Sequence, residues 1–114
     1  MKYFADYKIS LPLQPLMQFN SSKSVNKVIH RISTEDTNFD RIVSILSKYQ
    51  IEGCTFYHGQ GMWHGKVEEK GSLVIEIQLD VYNSVINKIA AEIRDCNGQE
   101  AVLIQCIPAF SWLV

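Results

Sequence analysis

Two rhythms of apolar and polar residues take turns along this chain. Val28, His30 and Ile32 share one side of a two-residue alternation through Lys27–Ile32, the period of a strand. Ser33-Thr34-Glu35-Asp36 then carries helix-start chemistry, and Phe39, Ile42, Val43, Leu46 and Tyr49 follow at helical spacing as one apolar stripe. Gly53 is expected to stop that helix, because glycine takes left-handed backbone without a Cβ clash. Cys54–His58 reads as a second strand. Ser72–Leu79 reads as a third, with Leu73, Ile75, Ile77 and Leu79 on one face and Val74, Glu76 and Gln78 on the other. Asp80 is the expected N-cap of a second helix, whose apolar face is Tyr82, Val85, Ile86, Ile89, Ala90 and Ile93 and whose end is Asn97-Gly98. Ala101–Ile107 is a last strand, which Pro108 is expected to end before an aromatic tail.

The resulting order, βαββαβ with two helices of similar length, predicts an α+β fold of the ferredoxin-like kind: a four-stranded antiparallel sheet with both helices on one face. That architecture leaves the other sheet face bare. In a small protein such a face is expected to be covered by another copy of the chain.

Residues 25–114 form this domain, and residues 1–24 read as an N-terminal extension. Ile9, Leu11 and Leu13 alternate there, but Pro12 and Pro15 argue against a central strand or a helix. Asn20-Ser21-Ser22-Lys23-Ser24 reads as a linker.

Composition narrows the picture further. The 114 residues are one domain's worth, and 46% hydrophobic content suffices for one core. Eleven basic residues against twelve acidic ones give a net charge of −1, so no general pull toward nucleic acid or anionic membrane is expected. No apolar run approaches the ~20 residues of a membrane span, and Asp6 and Lys8 interrupt the N-terminus where a signal peptide would be apolar. Three cysteines without CxxC spacing argue against a disulfide framework and for a reducing, cytoplasmic setting.

The most unusual segment runs from Tyr57 to Glu69. Gly59, Gly61 and Gly65 allow close backbone approach or positive φ, Trp63 offers a stacking surface, and His58 and His64 are candidates for proton transfer or metal binding. The functional reading is a ligand loop between two strands, built from His58, Gly59, Gly61, Trp63, His64, Gly65 and Lys66. The structural reading is a twisted hairpin or bulge. Its GxG lacks the third glycine of the dinucleotide fingerprint and opens no helix. Cys54, His58 and His64 are weak metal candidates: Cys54 and His58 share a strand face but lie about 13 Å apart. No catalytic residue is assigned, since no nucleophile-elbow context exists and adjacent Glu68 and Glu69 diverge rather than pair.

The segment Trp63-His64-Gly65-Lys66-Val67-Glu68-Glu69, with Cys54 upstream and Trp112 in the tail, resembles the CutA-type divalent-cation-tolerance proteins over residues 50–114. That family's His-Pro-Tyr-Glu segment is replaced here by Cys96-Asn97-Gly98-Gln99-Glu100. The glycine-rich turn also resembles the PII-like signalling proteins. These resemblances imply a ferredoxin-like subunit, a homo-oligomer with a trimer favoured over a dimer, and a small anionic or nucleotide ligand held between subunits. The expected function is therefore a non-enzymatic, ligand-binding regulatory protein whose cofactor, if any, the sequence does not name. The alternatives are a CutA-type metal binder, a small enzyme of the dimeric ferredoxin-like barrel class with His58 as proton shuttle, and a purely structural or interaction module.

Overall fold

The computed structural model describes residues 25–79 and 83–114. The expected N-terminal extension, and the roles expected of Asp80 and Tyr82, lie outside the described residues. Within them run β1 (Val25–Glu35), α1 (Phe39–Lys48), β2 (Thr55–Gly59), β3 (Met62–Trp63), β4 (Lys66–Val67), β5 (Ser72–Leu79), α2 (Val85–Asn97) and β6 (Leu103–Ser111). The main sheet has the order β2-β5-β1-β6 with every neighbouring pair antiparallel, which is the ferredoxin-like arrangement; β3 and β4 form a separate two-stranded ribbon.

Register explains the core. His30 and Ile32 sit opposite Ile77 and Ile75, and Phe56 sits opposite Ile75 from the other side, so these side chains share one face. Onto that face pack Ile42 and Leu46 from α1 and Ile86, Ile89, Ala90 and Ile93 from α2, all buried together with Leu73. Both helices therefore cover the same side of the sheet. Val43, read as part of the α1 stripe, lies at its solvent rim. Among the described residues no helix is long and apolar enough to cross a membrane.

Three local expectations are corrected. Ser33–Asp36 does not start α1: β1 continues to Glu35, because Thr34 and Glu35 pair with Leu73 and Ser72. The residue before α1 is Asn38, at φ 56°, and its side chain bonds not its own helix but Asn97 Oδ1 at 3.1 Å. Asparagine tolerates this left-handed backbone better than most residues. Gly53 does not end α1: Gln50 takes the left-handed position (φ 62°), while Gln50 N–H donates to Ser47 O and Ile51 N–H to Leu46 O. This is the Schellman pattern, built without glycine. Ser84 precedes α2. Lastly, β6 runs through Pro108 to Ser111, because it is an edge strand and a residue lacking N–H is tolerated there. The end of α2 matches the sequence reading, with Gly98 left-handed at φ 63°.

One polar cluster ties the two helix ends to the sheet. Asn97 Nδ2 donates to Thr34 Oγ1 (3.2 Å) and to Gln99 Oε1 (3.1 Å). Gln99 Oε1 also accepts from Glu35 N–H (3.3 Å) and from the Thr34 hydroxyl. Thr34 is buried, so its satisfaction by these amides removes a desolvation cost of roughly 1–3 kcal/mol.

Candidate functional site

The loop from β2 to β5 is a hairpin carried at the sheet edge. Met62 pairs with Val67 and Trp63 with Lys66, leaving His64-Gly65 as a two-residue turn with φ 51° and 77°. Two successive positive φ values make this the type I′ turn, whose twist suits a tight hairpin. Glu68 N–H donates to Gly61 O at 2.8 Å and extends the ladder by one more bond. The segment thus takes the hairpin form of the structural reading.

Its side chains are unusually open. Trp63 is 57% exposed and Met62 and Val67 more so, an arrangement that hydrophobic burial within one chain leaves unrewarded. The Trp63 and His64 rings meet edge to face at 5.0 Å. Lys66 stands across the ribbon from Trp63 and is also exposed.

The glycines divide into constrained and free. Gly65 needs its positive φ for the turn. Gly61 sits close against Ser72 Cβ and Glu68 Oε1, at 3.2 and 3.1 Å from where a Cβ would stand. Gly59 faces open space, so of Gly59 and Gly61 it is Gly61 where a side chain would be crowded. The strictest position is Gly71, which the sequence reading passed over: φ is 78°, and a Cβ would lie 2.9 Å from Gly59 O. Gly71 O in turn accepts from Asp36 N–H at 3.3 Å.

That contact brings Asp36 beside His58. Asp36 Oδ2 lies 2.8 Å from His58 Nδ1, with the imidazole 52% and the carboxylate 25% exposed. The imidazole also leans on Phe39 at 5.4 Å, and Phe39 meets Phe56 edge to face at 4.9 Å. His58 is therefore fixed by a carboxylate and an aromatic ring, and nothing in its local sequence announced Asp36 as a partner.

The sheet face away from the helices is the second candidate surface. By register it carries Thr55 and Tyr57, then Val74, Glu76 and Gln78, then Ile29, Arg31 and Ser33, then Leu103, Gln105 and Ile107. Arg31 Nε and a terminal guanidinium nitrogen donate to Glu76 Oε2 at 2.8 and 2.6 Å, a two-point contact at the middle of the face. Tyr57 OH donates to the other Glu76 oxygen at 3.5 Å. Apolar Ile29, Val74 and Ile107 flank this polar line.

Metal-ligand residues are not gathered. Among the described residues, no group of three His, Cys, Asp or Glu side chains could hold an ion. Burial pushes the Cys54 thiol up, away from the thiolate that binds metal, and does the same to Cys106. An open groove of about 560 Å³ lies between α1 and α2, lined by Arg41, Ser44, Ile45, Lys48, Glu92, Asp95 and Cys96, and includes none of the residues singled out from sequence.

His30 is buried on the helix side of β1, where its Nε2 accepts from Asn83 N–H at 3.4 Å. Desolvation holds its imidazole below the usual histidine range, although backbone hydrogen bonds with Val28 and Ile77 oppose this.

No family model and no curated protein matches the chain. Solved structures do. A phage SAM lyase in complex with S-methyl-5′-thioadenosine is similar at a TM-score of 0.56 and 16% identity, over 76% of this chain and 90% of that one. A PII-like signaling protein from Thermus thermophilus is similar at a TM-score of 0.49 and 16% identity, over 79% of this chain and 92% of that one.

Proposed function

We propose that this chain is a non-enzymatic, PII-like homo-oligomer that binds a small nucleoside- or nucleotide-type ligand at a subunit cleft, with His58, Gly59, Gly61, Trp63, His64, Gly65 and Lys66 at the site. The observation that carries the reading is the exposed Trp63 indole, carried on a type I′ hairpin. An exposed aromatic plane offers a stacking surface to a planar ring. Lys66, across the ribbon, supplies a charge for a phosphate. Association of copies through the Ile29, Val74 and Ile107 face brings the hairpin of one copy against the next, with a trimer favoured. The similar phage lyase is held with an adenosine derivative, which adds a ligand class at the level of fold.

The test is a thermal-shift screen over adenosine, its mono-, di- and triphosphates and divalent metals, followed by quenching of tryptophan fluorescence. A ligand that raises the melting temperature and perturbs parent fluorescence but not that of Trp63→Phe supports the site. No shift with any compound, together with a ~13 kDa species in light scattering, overturns it.

A second reading, an enzyme using His58 for proton transfer, is favoured by one observation: a carboxylate on His58 Nδ1 is the arrangement that orients a catalytic imidazole. Incubation with S-adenosylmethionine, and chromatography for a new nucleoside product, tests it. Absence of product from parent protein at high enzyme concentration counts against it.

A further inference from the structure

We infer that His30 is an acid-sensitive latch: its neutral imidazole holds the turn that starts α2, and taking up a proton releases that turn while the sheet stays paired. The inference is independent of the ligand site.

His30 is fully buried on the helix side of β1, and Asn83 N–H reaches its Nε2 at 3.4 Å. A backbone N–H only donates, so Nε2 presents its lone pair and the ring hydrogen sits on Nδ1. An imidazolium carries N–H on both nitrogens and would set two donors against each other.

The surroundings favour the same neutral form. Opposite His30 stand Ile77 on β5 and Cys106 on β6, whose thiol burial pushes up and keeps uncharged. Lys27 and Arg31 alternate onto the other face of β1. The helix packed on β1 is α2, and its buried residues are Ile86, Ile89, Ala90 and Ile93. Of its charged residues, Lys88, Arg94 and Asp95 are exposed, and Glu92 bonds Lys48 and Tyr49. Among the described residues, then, no carboxylate faces the imidazole to favour its charged form. The partial positive charge at the start of α2 disfavours that form further.

Asn83 is the joint through which the ring acts. Its N–H donates to His30, its side-chain Oδ1 accepts from Val85 N–H at 3.0 Å, and its carbonyl accepts from Ile86 N–H at 3.1 Å. The first amides of α2 are thus organised by a residue that the buried imidazole holds. Asn83 and Ser84 are exposed, whereas β1 is paired along both edges. The turn is therefore the part that moves aside when water and a proton reach Nε2. Burial holds the closed imidazole below its ordinary 6.5, so the latch is closed above pH 6.5. An opened turn hydrates the ring, which then takes the proton at its ordinary value. Opening should grow about tenfold per pH unit below that value, until the closed imidazole titrates too.

Two measurements on the parent test this. Nitrogen-15 long-range correlation spectroscopy at about pH 8 reads the tautomer of His30. Hydrogen on Nδ1 is expected, and hydrogen on Nε2 overturns the latch. Amide hydrogen exchange between about pH 8 and about pH 5, corrected for intrinsic rates and repeated in low urea, reads the opening. Protection of Asn83 and Ile86 is expected to fall about tenfold per pH unit below 6.5 with little dependence on urea, the mark of local opening. Exchange there that rises with urea as steeply as at Ile32 makes His30 a group of global stability only and overturns the latch, as does protection that ignores pH. His30→Gln keeps an acceptor that does not titrate, so its Asn83 protection should hold at both pH values. A fall equal to the parent's assigns the opening to another group and overturns the proposal; if the variant does not fold, the two parent measurements decide alone.

Discussion

Replacing Gly71 by alanine should damage this protein far more than replacing Gly59, although Gly59 has the more conspicuous setting in the glycine-rich segment. At Gly71 two costs coincide. With φ at 78°, an L-residue loses roughly 1–2 kcal/mol in left-handed backbone. A Cβ would also stand 2.9 Å from Gly59 O, inside contact distance of a backbone atom that cannot rotate away. Relief requires the end of β2 or the start of β5 to shift, and Asp36 N–H on Gly71 O resists this. Relieving such overpacking costs typically another 1–3 kcal/mol, so the sum is about 2–5 kcal/mol. At Gly59 the new methyl meets nothing within 4 Å and φ is not in the left-handed range, so the change should stay within about 0.5 kcal/mol. Urea unfolding of Gly71→Ala and Gly59→Ala, followed by far-UV circular dichroism, measures both. Equal midpoints for the two variants would refute the claim that this contact shapes the loop. Gly65→Ala offers an internal scale: it has the positive φ without the clash, so it should fall between them.

The remaining expectations concern the site, the face and the core. Trp63→Ala should leave stability within about 1 kcal/mol, since the indole is mostly solvated, yet weaken a stacked ligand by roughly 1–3 kcal/mol; a large loss in urea midpoint with unchanged affinity would make Trp63 structural. Ile107→Glu on the sheet face away from the helices should dissociate the assembly in light scattering while the monomer stays folded, and an unaltered mass would move the interface elsewhere. His30 has a folded pKa below its ordinary 6.5, so the unfolded chain binds the proton first as acid is added. Stability from this group is complete above pH 6.5 and is lost as the pH falls through that value and on through the lower folded one. The parent's urea midpoint should therefore drop between about pH 8 and 5 more steeply than that of His30→Leu; matching slopes would remove His30 as the source.

The sequence by itself determined what depends on neighbours a few residues away. The two-residue alternation of Leu73, Ile75 and Ile77 and the helical spacing of Ile86, Ile89 and Ile93 each specify one buried face, and all six are buried. Asn97-Gly98 stops a helix through its own backbone freedom, and His64-Gly65 turns a hairpin for the same reason. Tertiary structure alone decided features that join distant segments. Pairing with Leu73 and Ser72 carries β1 past Ile32 and turns apparent helix-start residues into strand. Asp36 reaches His58 across 22 positions, and Thr34 finds Gln99 across 65. Gly71 became the strictest glycine only because register sets Gly59 against it. Local periodicity records which side of an element is dry, whereas which two elements meet, and at which residue, is fixed by long-range pairing that no short window of sequence contains.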